Sequence, residues 1–245
     1  MLVPSRYQKT ILTWVKTNKG NGFVNAVAGS GKSTQINMNV EEIDPDASIL
    51  VLAFNRHIKE AMAERMRVFR NVTVETFNSL GWKILRKSHG NLELRPNKTD
   101  ILLRKRVNPD SPSYLRLRNP VIRMVSLLRH LNDVEASEDQ ILQHAKFYGV
   151  DLDNLKPVDD FIPLVRKIVQ ASVGMIYPCD FDDQVFQPIH LNLPMPEFDW
   201  IMVDESQDSS PLNIEMVCRL QEAKFGRVIT VGDPDQSIYL FRGAH

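Results

Sequence analysis

One segment constrains the fold of this chain more than any other. Residues 26–34 have the sequence AVAGSGKST and follow the apolar, partly β-branched segment GFVNAV at 22–27, for which we expect a short buried strand. The segment from Lys32 to Val40 can continue as a helix. A strand, a glycine turn and a helix N-terminus together direct backbone N–H groups and the helix dipole toward an anion. This order predicts a phosphate-binding loop.

The residue types of this loop suit a nucleotide. Its glycines let the backbone close on phosphate oxygens, its lysine can meet the β- and γ-phosphates, and its serine hydroxyl can bind Mg²⁺. A Gly/Ser-rich loop with a chance lysine is the alternative. Against it, four residues have the spacing of a phosphate-binding loop after the strand, namely Gly29, Gly31, Lys32 and Ser33. One departure is Ala26, which stands where the first glycine is usual. The predicted ATP-binding residues of the loop are Ala28, Gly29, Ser30, Gly31, Lys32, Ser33 and Thr34.

Two adjacent carboxylates, Asp204 and Glu205, follow the near-continuous apolar segment FDWIMV at 198–203. Such a segment predicts a parallel strand that is buried on both faces, and open α/β sheets bind ligands at the carboxyl ends of their strands. Acidic pairs more often lie on solvated surfaces. A phosphate-binding loop in the same chain instead favours a catalytic pair, in which Asp204 holds Mg²⁺ and Glu205 activates a water.

A third strand is predicted at 227–231, RVITV, and is followed by GDPDQSIYLFRGA at 232–244. Gln236 would lie near the γ-phosphate if this strand neighbours the other two. Tyr239, Phe241 and Arg242 form a compact aromatic and cationic group that suits stacking on the bases of a single strand. Ordinary core packing of Tyr239 and Phe241 is an equal alternative.

The motifs occur in an order that resembles the UvrD/Rep-like group of superfamily 1 DNA helicases, especially its phage-type members. In chain order they resemble the Q motif, motifs I and Ia, the motif after Ia, a short acidic-aromatic motif, motif II and motif III. They extend over residues 4–244, with no motif between about 90 and 179. The matching segments are SRYQKTIL, AVAGSGKST, VLAFNRHIKEAM, TFNSLG, DFDD, VDESQD and GDPDQSIYLFRGA.

This resemblance implies an ATP-dependent DNA helicase or translocase that uses ATP and Mg²⁺. Lys32 would stabilise phosphate charge, Glu205 would be the base, and Gln236 would sense the γ-phosphate. Ser33 and Asp204 would hold the metal, and Gln8 would recognise adenine. Asn78 stands where the family usually has histidine, and Ser206 replaces the common alanine. The residues expected to line the single-stranded DNA path, with a duplex junction as a further option, are Phe54, Asn55, Arg56, Thr76, Asn78, Tyr239, Phe241 and Arg242.

The motif series ends at motif III. We therefore expect the family's second RecA-like lobe, with motifs IV to VI and its arginine finger, to lie outside these 245 residues. One alternative is an ATP-dependent DNA-binding or regulatory module without unwinding activity. Another is a nucleotide-switched protein without a nucleic-acid partner, which the aromatic residues of motif III and a basic segment disfavour.

The formal net charge of zero conceals an asymmetry along the chain. Residues 81–130 contain 12 lysines and arginines and only three acidic residues, whereas residues 131–218 contain 17 acidic residues and four basic ones. The basic segment could contact DNA phosphates, which gives salt-dependent binding that ignores sequence. A solvated helical face is the alternative.

Alternating strand and helix patterns predict an α/β fold with a parallel sheet, which the resemblance identifies as a RecA-like P-loop lobe. Helices are expected at 5–17, 55–68 and 77–88, and strands at 48–54 and 72–76. Helical patterns within 98–174 predict a mostly helical insertion, similar to the family's subdomain 1B. The resulting division is an ATP-binding first part at 1–89, the insertion at 90–179, and a second ATP-binding part at 180–245.

The composition of the chain is compatible with this interpretation. No run of 18 apolar residues predicts a membrane span, no signal peptide is apparent, and Cys179 and Cys218 are too few and too far apart for a metal site. We therefore expect reduced thiols and no membrane partner. The resemblance further implies a monomeric cytoplasmic protein of a bacterial or phage-infected cell.

Overall fold

The computed structural model describes residues 3–17, 19–27, 29–153, 155 and 160–236. The chain divides into two compact units. The first consists of Met1–Leu80, Pro194–Ser209 and Met216–Ile238, and the second of Gly81–Leu193, Ser210–Glu215 and Tyr239–His245. The functional division at residues 90 and 179 stays a prediction.

The first unit contains a five-stranded sheet in which every pair of neighbours is parallel. The predicted α/β fold is therefore confirmed. The strands lie in the order β1-β5-β4-β2-β3, so that β5 separates β1 from β4. Because all five run in the same direction, the segments that follow them emerge at one edge of the sheet. The strands are β1 (Gly22–Asn25), β2 (Ile49–Ala53), β3 (Val72–Thr76), β4 (Trp200–Val203) and β5 (Arg227–Gly232).

Three helices, α1 (Arg6–Thr17), α2 (Lys32–Glu42) and α3 (Arg56–Met66), belong wholly to the first unit. Apolar side chains of α2 and α3 share one hydrophobic core with alternate residues of β2, β4 and β5. Two longer helices that belong partly to the first unit are α4 (Phe77–His89) and α10 (Pro211–Lys224).

The first strand differs from its prediction. We expected a buried strand at 22–27, but β1 ends at Asn25, and Phe23 and Val27 are 57% and 64% exposed. The reason is its place in the sheet: among the described residues β1 is an edge strand that pairs with β5 alone. The inner strands β2 and β4 are buried along their whole length, as their apolar sequences predict.

The second unit is helical. Its apolar core is built from residues of α5 to α8 and of the connections between them, including Leu103, Val121, Ile141, Val165 and Ile168. The helices predicted in this part of the chain are thus present. None of the helices among the described residues is both long and apolar enough to cross a membrane. The helices of this unit are α5 (Lys98–Arg104), α6 (Pro112–His130), α7 (Glu138–Phe147), α8 (Phe161–Val173) and α9 (Asp183–His190).

The basic segment 81–130 supplies two cations that are buried inside this unit. Lys98 is 1% exposed, and its Nζ lies 2.7 Å from Asp183 Oδ2. Arg129 is also 1% exposed; it donates to both carboxylate oxygens of Asp180 at 2.9 Å and to Asp183 Oδ1 at 3.1 Å. Phosphate contact by the basic segment is therefore excluded for Lys98 and Arg129, which neutralise carboxylates instead.

Burial acts to lower the pKa of Arg129, but the nearby carboxylates of Asp182, Asp180 and Asp183 outweigh it and raise that pKa above its usual range. Burial also raises the pKa of Asp183. A buried cation is stable in this position only because carboxylates surround it.

Candidate nucleotide-binding site

The glycine-rich loop adopts a backbone that requires glycine at two positions. Gly29 and Gly31 have φ values of 72° and 86°, in the left-handed region that other residues rarely adopt. Gly31 precedes the first residue of α2, and no side chain among the described residues caps this helix end. Glycine at the N-cap leaves the first N–H groups of α2 without a cap from that residue, which is the arrangement that binds anions at helix N-termini.

The lysine of the loop contacts the second acidic residue. Lys32 Nζ lies 2.8 Å from Glu205 Oε2, and their side chains are 10% and 26% exposed. The amide Nε2 of Gln207 donates to the same Glu205 oxygen at 2.8 Å. The Glu205 carboxylate is therefore held by a cation from one side of the site and by an amide of its own loop.

The serine of the loop contacts the first acidic residue. Ser33 Oγ donates to Asp204 Oδ2 at 3.3 Å, and the backbone N–H of Glu205 donates to Asp204 Oδ1 at 3.1 Å. Asp204 is 2% exposed, and burial, followed by the negative charge of Glu205, raises its pKa. A hydroxyl and a carboxylate oxygen are ligands that Mg²⁺ prefers, so this pair fits the predicted metal.

Gln207 extends the site toward the end of β5. Its Oε1 accepts a hydrogen bond from the backbone N–H of Asp233 at 3.0 Å. A Cβ added to Gly232 would lie 2.7 Å from Gln207 Oε1 and 2.5 Å from Ser206 Oγ, so a side chain at this position would displace both groups from these positions. Asp233 in turn accepts a hydrogen bond from the side chain of Gln236. One continuous series of contacts thus leads from Lys32 through Glu205 and Gln207 to Gln236.

Gln207 was missed by the sequence reasoning. Its place two residues after Glu205, in the same short motif, was the only signal available, because its contact with the Asp233 N–H depends on β4 and β5 being neighbours.

Gln8 lies beside the loop. Its Nε2 is 3.8 Å from the position that a Cβ would occupy on Gly31. The side chains of Ser5 and Gln8 form reciprocal hydrogen bonds with each other's backbone N–H groups, at 3.3 Å and 2.8 Å. This capping interaction holds Gln8 at the start of α1. Recognition of adenine by Gln8 stays a prediction.

Five of the predicted DNA contacts lie at or directly after the ends of the neighbouring strands β2 and β3. Ala53 and Thr76, the last residues of these strands, are partners in the sheet. Asn55 caps α3 by accepting the Ile58 N–H at 2.9 Å, and Arg56 is paired with Glu60 at 2.7 Å on an exposed helix face. The structure therefore brings the two segments 54–56 and 76–78 to the same edge of the sheet.

Fewer contacts define the positions of the remaining predicted residues. The Ser30 N–H donates to the Val27 carbonyl at 3.2 Å, and Thr34 lies beside Gly31. Four predicted residues fall outside the described part of the chain, namely Ala28, Tyr239, Phe241 and Arg242.

A parallel sheet with a glycine-rich loop, a lysine, a hydroxyl and an acidic pair at one edge defines a P-loop nucleoside triphosphatase lobe. The chain belongs to the UvrD/REP helicase N-terminal domain family, whose model matches residues 8–245.

Among curated proteins, the chain is similar to ATP-dependent DNA helicase PcrA of Leuconostoc citreum, with 28% identity over 257 residues. It is also similar to PcrA of Staphylococcus aureus strain Mu50, with 25% identity over 260 residues, and to PcrA of Staphylococcus epidermidis, with 26% identity over 260 residues. Each match covers 94% of this chain and 33% of the relative. The chain thus spans about a third of the length of the curated relatives it matches.

Proposed function

We propose that this chain is the ATP-binding and single-strand-binding N-terminal part of an ATP-dependent DNA helicase or translocase. One observation carries the proposal: Lys32 and Ser33 of the glycine-rich loop meet Glu205 and Asp204 at one edge of the sheet, at 2.8 Å and 3.3 Å. Membership of the UvrD/REP family and the names of the PcrA relatives support it.

Hydrolysis of a nucleoside triphosphate needs mainly positioning and neutralisation of charge. The backbone at Gly29 and Gly31 would receive the phosphates, and Lys32 would stabilise charge on the β- and γ-phosphates. Ser33 and Asp204 would hold Mg²⁺, which supplies positive charge to phosphate oxygens when it is bound.

Glu205 would act as the base for the attacking water. Phosphate would compete with its carboxylate for the ammonium of Lys32, so nucleotide binding would release Glu205 for this role. Gln207 would keep the carboxylate oriented through its 2.8 Å hydrogen bond. Its contact with Asp233 would link the base to Gln236, the proposed γ-phosphate sensor.

Single-stranded DNA would bind along the segments that follow β2 and β3, through Phe54, Asn55, Arg56, Thr76 and Asn78. The aromatic and cationic group of Tyr239, Phe241 and Arg242 would add base stacking. A cytoplasmic location and a monomeric state belong to the same proposal, because DNA is the substrate and Lys32, Ser33, Asp204 and Glu205 all belong to one chain.

An ATP-dependent DNA-binding or regulatory module is the second candidate. Binding without unwinding needs only the contacts described above.

A DNA-stimulated ATPase assay tests the proposal, in a form of the protein that also carries the second lobe. We expect single-stranded DNA to stimulate hydrolysis by the wild type. Glu205→Gln should nearly abolish turnover and leave ATP affinity almost intact, because the amide keeps the shape and loses the base. Glu222→Gln, on the exposed side of α10, is the matched control and should retain wild-type turnover. Hydrolysis that ignores DNA, or that survives Glu205→Gln, would contradict the proposal.

A further inference from the structure

A buried carboxylate lies beside the proposed single-strand path. Glu75, in β3, is only 3% exposed. Its Oε2 lies 2.5 Å from the ammonium of Lys59 on α3 and also accepts a hydrogen bond from Ser79 Oγ on α4. We call Lys59, Glu75 and Ser79 the Glu75 cluster. The only sign of this cluster in the sequence is a single glutamate inside the strand pattern VTVET.

Ser79 fixes the turn between β3 and α4. Its Oγ accepts hydrogen bonds from the Thr76 backbone N–H at 2.8 Å and from Thr76 Oγ1 at 3.0 Å. The Ser79 N–H donates back to Thr76 Oγ1 at 3.1 Å, and Lys59 Nζ lies 3.3 Å from Ser79 Oγ. This turn is the segment 76–78, in which Phe77 is buried and Asn78 is exposed.

Lys59 connects the same turn to the other candidate segment. Its backbone N–H donates to the Asn55 carbonyl at 3.0 Å, so Lys59 lies one helical turn after Asn55. The Lys59–Glu75 ion pair therefore ties the segment 54–56, at the start of α3, to the segment 76–78, at the start of α4.

Stability alone gives little reason for this pair. The side chain of Glu75 is buried and that of Lys59 is 27% exposed, and a largely buried ion pair is often no more stabilising than apolar residues of the same size, because the buried charge loses its hydration. The charge of Glu75 also repels phosphate and so opposes DNA binding. A hydrogen-bonded ion pair fixes the relative position of the two segments that it joins, which an apolar pair would not do.

We propose that Lys59 and Glu75 are positioning residues for single-stranded DNA: they hold the segments 54–56 and 76–78 together as one binding surface. This inference rests on the proposed single-strand path. Neither residue needs to touch DNA, and both act through the exposed side chains of Asn55, Arg56 and Asn78.

The test is fluorescence anisotropy of a fluorescein-labelled single-stranded oligothymidylate with the 245-residue chain. Removing a charge-assisted contact in Glu75→Gln should weaken DNA binding by about 10-fold. Affinity for a fluorescent ATP analogue should not change. Lys59→Met should weaken DNA binding similarly, and Lys59→Arg should restore most of it. The matched control is Glu42→Gln, which removes an exposed ion pair with Lys16.

The direction in which Glu75→Gln changes DNA affinity distinguishes a positioning role from a purely electrostatic one. Glu75→Gln makes the surface more positive by one charge, so a purely electrostatic role predicts tighter binding of the phosphate backbone. Unchanged or tighter binding would overturn the inference. A second contrary result would be a DNA affinity of Glu75→Gln that falls more steeply with salt than that of the wild type, by the equivalent of one phosphate contact. Such a slope would mean that the released Lys59 binds DNA directly.

Two further measurements distinguish a failure of the positioning role from a folding defect and from a failure of the proposed single-strand path. Ser79→Ala removes the hydroxyl at the centre of the turn and leaves both charges of the ion pair in place. This variant serves as the test if Glu75→Gln does not fold. Unaltered DNA binding by Ser79→Ala would then overturn the inference. A wild-type chain that does not bind the oligothymidylate would overturn the single-strand path itself. Binding by the wild type together with equal binding by Glu75→Gln would overturn the positioning role alone.

Discussion

Ser33 Oγ donates a hydrogen bond to Asp204 Oδ2 at 3.3 Å, although 171 positions separate the two residues in the sequence. The contact exists because β1 and β4 flank β5, and the segments after these strands emerge at the same edge of the sheet. It joins the glycine-rich loop and the acidic pair into one site. The first predictions test the members of this site.

Lys32→Ala should weaken nucleotide binding strongly. The substitution removes a charge-assisted contact to phosphate worth roughly 1.5–3 kcal/mol, which corresponds to about 10- to 150-fold in affinity. Titration with a fluorescent ATP analogue in the presence of Mg²⁺ measures the change. Lys16→Ala, which removes an exposed lysine from α1, is the control. Equal affinity of Lys32→Ala and the wild type would mean that the loop is not the nucleotide site.

Asp204→Asn should stabilise the protein at neutral pH. Because burial and the charge of Glu205 raise the pKa of Asp204, the folded protein retains this proton at a pH where the unfolded chain has lost it. The stability that Asp204 contributes is therefore fully present below the ordinary aspartate pKa, about 3.9, and is lost as pH rises through the raised value. Thermal unfolding should show a higher Tm for the variant at neutral pH and a smaller difference in acid.

Asp199→Asn is a control of opposite sign. Hydrogen bonds from Lys224 and Ser48 lower the pKa of Asp199 to about 2. Its contribution to stability is present above the ordinary aspartate pKa and is lost as pH falls toward 2, so this variant should lower Tm at neutral pH. A lower Tm for Asp204→Asn at neutral pH would show that burial does not dominate the energetics of Asp204.

The 245-residue chain alone should hydrolyse ATP very slowly and should not separate a DNA duplex. An arginine finger contributes roughly 10³–10⁵ in rate in P-loop enzymes, or about 4–7 kcal/mol of barrier. The resemblance places that arginine in the second lobe. Single-stranded DNA should still bind, with an affinity that falls as salt rises. The measurements are steady-state ATPase and strand separation; brisk DNA-stimulated turnover by a monomer would show that some residue of this chain supplies the cation.

Arg129→Met should destabilise the second unit by about 3–5 kcal/mol, because the carboxylates of Asp180, Asp182 and Asp183 would lose their buried cation. Urea denaturation measures the free energy of unfolding. Arg116→Met, at an exposed position of the same helix, should stay within about 0.5 kcal/mol of the wild type. A loss below about 1 kcal/mol for Arg129→Met would mean that the carboxylates find other partners.

Local patterns predicted most of the sheet, and they singled out the residues that the structure brings together in the candidate nucleotide-binding site. Glycines 29 and 31 were recognisable because a left-handed turn before a helix leaves few other choices, and Asp204 was recognisable because it follows an apolar strand. Each of these motifs lies within a few consecutive residues, although the acidic pair was interpreted as catalytic only because the chain also contains the glycine-rich loop.

Long-range features were not predictable in the same way. The exposure of Phe23 depends on the edge position of β1, which no property of its own segment indicates. Lys98 and Arg129 seemed equivalent to other basic residues, because only the fold shows which cation faces a carboxylate inside the second unit. The contacts of Gln207 with Asp233 and of Glu75 with Lys59 likewise depend on which elements become neighbours.

Glu205 has a φ of 51° and a ψ of 46°, in the left-handed region, where a side chain of this kind adds strain of roughly 1–3 kcal/mol. Glycine would adopt the same backbone with less strain but would carry no carboxylate. If Glu205 is the base, as proposed, selection for a more stable fold and selection for turnover act in opposite directions at this residue. A lineage that lost the need to hydrolyse ATP would be free to replace Glu205, and identity at this one position would distinguish working enzymes from relatives that retain only the fold.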